Sequence, residues 1–222
     1  HQLTHPLIAS FVETNFYVTN QFALRVGGRY EHADVINESN LAPRISLAYK
    51  WNDDSQVSFG YGRFYQVPGD DFLFDSKTID FENASHYVLN YQYHIDKRTF
   101  RAEVYYKKYN NLVKENSLDG SGLDNSGYGH ATGFDLFYRD TRTIRHGDVW
   151  ITYSFLDTKR NYHHYPIEAT PTFAAKHVAN IVGKYFISAL STSIGATYTY
   201  ASGRTYYNPN NLSFLSDRTK DY

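Results

Sequence analysis

The stretch RTFRAEVYYKKYNNLVKE, residues 98–115, alternates from Phe100 onward. Phe100, Ala102, Val104 and Tyr106 fall on one side, and Arg101, Glu103, Tyr105 and Lys107 on the other. A two-residue period marks a β-strand, because successive side chains of an extended chain point to opposite faces. The same letters suit two environments. In a soluble sheet the Phe–Ala–Val–Tyr side lines a core and the charged side meets bulk water. In a membrane barrel the apolar side meets lipid and the charged side lines a wet interior. The rest of the chain decides between them.

The pattern recurs along the whole sequence. Alternating stretches are expected at 7–18, 21–32, 43–51, 56–67, 85–95, 98–109, 131–141, 144–157, 176–187 and 190–201, and no amphipathic helix stands out. In the second, Phe22, Leu24, Val26 and Tyr30 oppose Gln21, Arg25, Arg29 and Glu31; in the third, Ile45, Leu47, Tyr49 and Trp51 oppose Arg44, Ser46, Ala48 and Lys50. Many run to ten residues or so, beyond the usual length of about five or six in globular sheets. About nine to eleven tilted residues cross a bilayer. The connections alternate as well. VTNQ, WNDDS, HIDKR, RDTRT and ISALS are tight, whereas 31–42, 68–84, 110–130 and 158–175 are long. Short turns on one rim and long loops on the other are the habit of outer-membrane barrels, with the short turns periplasmic. A sandwich has no reason to keep that parity.

Composition agrees. The 222 residues contain no apolar run long enough for a transmembrane helix, which leaves barrel strands open. The net charge of -1 gives no basic footprint for nucleic acid. Cysteine is absent, so disulfide scaffolds and thiol catalysis are excluded. The 22 Tyr and 15 Phe gather near strand ends, at Phe16-Tyr17, Phe64-Tyr65 and Tyr105-Tyr106, where amphipathic rings form girdles at the headgroup level. Methionine is also absent and the sequence opens His1-Gln2-Leu3, so an internal segment of a longer protein is expected.

Particular segments then resemble a known family. LAPRISLAYKWNDDSQVSFGYGRFYQVP (41–68) is similar to paired strands of TonB-dependent outer-membrane receptors, with Pro-Arg before one strand and Gly-Arg-Phe closing the next. SHYVLNYQYHIDKRTFRAEVYYKKYNNLV resembles the following hairpin, HATGFDLFYRD the Gly-led strand after it, and AKHVANIVGKYF and YASGRTYYNPN later elements. The style resembles members from Bacteroidetes. The resemblance implies an all-β fold: an antiparallel transmembrane β-barrel segment of about ten strands from a barrel of about 22. Residues 1–222 would form part of the barrel domain, with the plug domain, its TonB box and the final strands outside the chain. It implies a receptor that binds an extracellular siderophore, haem, cobalamin, glycan or peptide and imports it with TonB-transmitted energy. The partners implied are the TonB complex, outer-membrane lipid, the ligand and a surface lipoprotein, with no nucleic acid. A plug-free passive pore and a soluble all-β binding module remain as alternatives.

The residues carrying chemistry are few. Arg25, Arg29, Glu31, Arg44, Arg101, Glu103, Lys107, Asp135 and Arg139 fall on the polar phase and are candidates for contact with a ligand or a plug. Arg63 falls on the apolar phase of its strand and is expected near a rim. His163-His164, with His130, His146 and His177, would need to converge to hold a metal. The acidic stretch at Asp70, Asp71, Asp75, Asp80 and Glu82 lacks calcium-loop spacing. DGSGLDNSGYG (119–129) lacks the Lys-Ser/Thr and helix of a phosphate loop. No catalytic constellation is visible, so no enzymatic activity, cofactor or metal is expected.

Overall fold

The computed structural model describes residues 6–75, 79–115 and 122–205. Ten strands follow one another: β1 (Leu7–Tyr17), β2 (Phe22–Ala33), β3 (Glu38–Lys50), β4 (Ser55–Gln66), β5 (Glu82–Ile95), β6 (Arg98–Glu115), β7 (Leu123–Asp140), β8 (Gly147–Asn161), β9 (His177–Ile187) and β10 (Thr192–Ala201). They form one antiparallel sheet in chain order from β1 to β10. Each strand pairs with its sequence neighbours, so the whole sheet is a meander.

Register carries the alternation from strand to strand. Leu24, Leu47, Phe59, Leu89, Val104, Phe134 and Phe155 stand directly opposite one another in sequence, making one continuous apolar row across seven strands. A parallel row runs through Phe22, Tyr49, Val57, Tyr91, Ala102, Leu136 and Tyr153. A slip of one residue at any hairpin would move a whole strand's apolar set to the other face. The described residues leave these rows open: Leu89 is 51% exposed and Val104 54%.

The hairpins at one end are built by local chemistry. Asp96 and Lys97 both have positive φ (48° and 64°), the pair of left-handed residues a two-residue turn requires. Asn52 Oδ1 accepts from Asp54 N (3.0 Å) and Ser55 Oγ (2.9 Å). Asp140 accepts from Arg142 N (2.7 Å), Thr143 N (2.8 Å) and Thr143 Oγ1 (2.6 Å). The β9–β10 turn is a 3₁₀ turn, Ser188–Leu190.

At the opposite end the structure corrects the expected loops. The span 31–42 is not a loop: β2 and β3 stay paired as far as Ala33 and Glu38, leaving a four-residue connection. The span 110–130 is mostly strand too, since β6 and β7 each reach 18 residues, with register shifts between Tyr109 and Leu112 and between Leu112 and Lys114. The span 68–84 contains a short helix, α1 (Asp70–Asp75), absent from the sequence reading. The SDRTKDY stretch and part of the Gly-rich segment lie outside the described residues.

This end holds most of the large buried apolar side chains among the described residues. Val113 is fully buried, and Ile79, Phe81, Leu112, Tyr165, Pro171 and Ala174 are buried around the same end. The wall between the two ends is thus a single apolar-faced layer, and the compact core sits where the long connections fold together.

Candidate functional site

All nine polar-phase candidates share the face opposite the apolar rows, as the register requires. They fall into separate groups. Arg25 Nε donates to Asn15 Oδ1 (2.7 Å) and lies 3.3 Å from Glu13; Arg29 pairs with Glu31 at 2.5 Å. The Arg44 guanidinium sits 5.1 Å from the Phe64 ring centre. Glu103 and Asp135 stand directly opposite each other, and Asn90 donates to Glu103 (3.4 Å). Arg101 faces Gln92 and Phe137, while the Lys107 amine lies 4.9 Å from the Tyr105 ring. Arg139 holds Asp148 with two bonds of 2.9 and 2.7 Å. Four strands separate the β2 group from the β7 group, so the nine residues line a wall rather than a single pocket. Arg63, on the apolar face toward the long-connection end, donates to Asn83 (3.3 Å) and lies over Tyr65.

A denser constellation, which the sequence reading missed, forms at the long-connection end. The β8–β9 loop folds back onto β6: His163 N donates to Val113 O (2.7 Å) and Glu115 N to His163 O (3.0 Å). Lys114 Nζ clamps the same loop through Asn161 Oδ1 and the Tyr165 carbonyl. The β4–β5 connection joins from the other side. Asn125 accepts from Asp80 N (2.7 Å) and donates to Asp80 O and Asn111 O. Glu82 accepts from Val113 N at 2.9 Å, so its carboxylate closes the seam between β5 and β6.

Within this assembly Arg160 lies on the polar phase of β8, opposite Gly129. Its guanidinium carbon is 4.2 Å from the Tyr109 ring centre, 5.3 Å from Phe173 and 5.6 Å from Tyr162. Cation–π contacts of this kind gain strength as water is excluded. Arg160 Nε is buried without a hydrogen-bond partner among the described residues. A buried donor left unpaired is costly, which makes this guanidinium ready to receive an anionic or carbonyl oxygen.

The histidines do not converge. His163 packs against Phe72 and Tyr162, His164 against Tyr165, His130 pairs with Glu168 at 3.1 Å, and His177 bonds Tyr153 Oη. Among the described residues no group of three or more His, Cys, Asp or Glu side chains could hold a metal ion. Burial pushes the His163 imidazole below its ordinary value near 6.5, with His164 and Arg160 acting in the same direction and Glu115 against it. A histidine kept neutral in the folded loop stabilises it less once the unfolded form can bind a proton. The docked β8–β9 loop is therefore expected to loosen as pH falls from about 6.5, while remaining intact at higher pH. Limited proteolysis at pH 7.5 and 5.5 checks this. Greater cleavage in acid is expected, with the pH difference reduced in His163→Gln; equal protection at both pH values would refute it.

Residues 4–222 match the family model described as TonB dependent receptor-like, beta-barrel. A comparison with curated proteins found none that matches. Among solved structures, the fold is similar to the FrpB iron transporter of Neisseria meningitidis (F5-1 variant, apoprotein form), with a TM-score of 0.75, 14% identity, and coverage of 97% of this chain and 36% of that one. It is similar to the outer membrane transporter YddB of Escherichia coli (TM-score 0.74, 13% identity, 95% of this chain and 35% of that one). It is also similar to the ferric yersiniabactin uptake receptor FyuA of Yersinia pestis (TM-score 0.73, 17% identity, 94% and 36%). The chain thus spans about a third of the length of these structures. With a meander of long antiparallel strands, an apolar face left uncovered by the described residues and a matching family model across nearly the whole sequence, the chain belongs to the TonB-dependent receptor-like β-barrel family and is integral to the outer membrane.

Proposed function

We propose that this chain forms part of the barrel wall of a receptor that captures an extracellular ligand and imports it with energy transmitted by TonB. In this reading β1 and β10 join further strands of the same wall, because an open sheet edge is not tolerated in lipid. A plug domain carried elsewhere in the protein fills the lumen, and the nine polar-phase residues face it or the passing ligand. The observation that carries the reading is Arg160: a cation on the polar phase ringed by Tyr109, Tyr162 and Phe173, in the assembly at the long-connection end. A plain pore has little use for such a built binding surface.

The ligand best suited to it is an anionic or aromatic chelate, such as a ferric siderophore. Aromatic faces stack on flat ligand rings, and the guanidinium meets their oxygens. Two of the similar structures are an iron transporter and a ferric yersiniabactin uptake receptor, which agrees with this choice. Growth of a deletion strain on defined ferric chelates, with and without TonB, tests the proposal. Loss of growth on one chelate in both the receptor and the TonB deletions is expected. In the intact receptor, Arg160→Ala should weaken binding of that chelate by about 2 kcal/mol, the worth of a desolvated cation–π contact. Uptake that is indifferent to TonB would favour the passive pore.

A further inference from the structure

At the short-turn end the β5–β6 and β7–β8 turns frame an open cavity of about 460 Å³, lined by Asp96, Lys97, Thr141, Arg142, Arg145 and His146. That volume lies in the range of about 300–1,000 Å³ usual for small-ligand sites. All six residues belong to the turns and none to a strand, since β5 ends at Ile95, β6 begins at Arg98, β7 ends at Asp140 and β8 begins at Gly147. The cavity therefore sits at the hairpin tips, the end that outer-membrane barrels turn to the periplasm, rather than on the apolar face. Bonds between the turns fix its shape. Thr141 N and Thr141 Oγ1 both donate to Lys97 O (3.2 and 3.1 Å), and Arg142 pairs with Asp96. Arg98 adds bonds to Asp140 Oδ2 (3.1 Å) and Thr143 Oγ1 (2.8 Å), and His146 O accepts from Phe186 N (3.0 Å).

Two features set this cavity apart from ordinary turn polarity. The first is charge. Asp96 is the one acid among the six lining residues, and it is committed to Arg142. Lys97 and Arg145 are exposed and form no ion pair among the described residues, and His146 is exposed beside them. Lys50, at the β3–β4 turn of the same rim, is by contrast held by Asp53 at 2.9 Å. The second feature is the backbone. Asp96, Lys97 and His146 all have positive φ (48°, 64° and 65°). A two-residue turn of this shape favours Asn-Gly, so Lys97 puts a cationic side chain where the least strained backbone would carry none. Left-handed non-glycine residues cluster at binding sites, and local rules are broken where function needs a side chain.

We infer that this cavity binds an acidic peptide, the carboxylate-rich stem peptide of peptidoglycan, which is the polymer facing this rim. Two unpaired cations on separate turns suit carboxylates spaced along a chain, and the Arg145 guanidinium can hold one of them with two parallel bonds. The cavity has more room than one phosphate fills. Its place at the hairpin tips selects a periplasmic polymer over a phospholipid head, which would lie against the apolar face. Such contact tethers the barrel to the cell wall at the end remote from Arg160, whatever ligand the Arg160 assembly captures.

The test uses the intact receptor in detergent. Purified peptidoglycan sacculi are read by co-sedimentation, and a soluble disaccharide-tetrapeptide fragment by native mass spectrometry. The parent is expected to sediment with sacculi and to bind the fragment. Lys97→Gln combined with Arg145→Gln should weaken fragment binding about tenfold, through loss of charge-assisted bonds at an exposed site. Sacculi whose stem peptides have been removed by an amidase should retain little receptor, and Lys50→Gln should bind as the parent does. Equal binding by the double variant, or equal retention on stripped sacculi, overturns the inference. So does displacement of the fragment by inorganic phosphate or phosphatidylglycerol at equal concentration, which would mark a general anion or lipid site. Should the double variant fail to assemble, Arg145→Gln alone carries the same test, with an intermediate loss expected.

Discussion

Ala102→Arg is expected to impair assembly of the barrel severely, while its neighbour substitution Glu103→Gln is expected to be tolerated. The two positions are adjacent in sequence and differ only in face. Ala102 stands in an apolar row between Tyr91 and Leu136, two outward positions from Tyr106 and two from Arg98, which places it near the middle of the bilayer. An arginine facing lipid at that depth costs about 2–4 kcal/mol. No nearby outward group could neutralise it, since the flanking residues on that phase are Phe100 and Val104. Glu103 points the other way, directly opposite Asp135, and accepts one long hydrogen bond from Asn90. Glutamine keeps the acceptor and removes a like-charge opposition, so stability should stay level or rise slightly. Heat-modifiable gel migration and urea midpoints in bilayers measure both. If Ala102→Arg assembled normally and Glu103→Gln did not, the lipid and lumen faces would be reversed.

The faces were legible in the sequence because the bilayer imposes them. Between Phe100 and Tyr106 one side of the strand must be apolar and the other need not be, so the letters alternate. Past Tyr106 both sides are wet. Lys107, Lys108, Tyr109 and Asn110 then show no period, although β6 continues to Glu115. That is why 31–42 and 110–130 read as loops: backbone pairing persists where the side-chain contrast that reveals it has vanished. Helix α1 escaped for a different reason, since six residues are too few to display a helical face. The nine polar-phase residues were legible by parity alone, but parity cannot say which of them meet. The Arg160 cluster joins β6, β8 and two parts of the β8–β9 loop, contacts with no shared spacing in the sequence. The aromatic run Tyr162-His163-His164-Tyr165 was its one local sign, and it pointed first toward a metal.

Gly133→Ala carries the second large effect, because the inward phase of β7 has almost no side chains there and its neighbours close over it. That phase runs Gly127, Gly129, Ala131, Gly133, and Tyr105 from β6 lies across the last of them. A Cβ at Gly133 would sit 2.3 Å from the Phe155 carbonyl oxygen and 2.4 Å from Tyr105 Oη. The ring can swing away, but the carbonyl belongs to the paired strand and cannot move without opening the β7–β8 ladder. Overpacking of this kind costs about 1–3 kcal/mol, and a branched side chain such as valine should cost more. Gly183 supplies the contrast, since a Cβ there would meet nothing within 4 Å, and Gly183→Ala should leave the urea midpoint unchanged. Tyr105→Ala tests how the space is shared. It should relieve the ring contact and leave the carbonyl contact, giving Gly133→Ala and Tyr105→Ala a coupling of about 0.5–3 kcal/mol. Strict additivity between them would mean that the Tyr105 ring does not rest on Gly133, and that the Phe155 carbonyl alone opposes a side chain there.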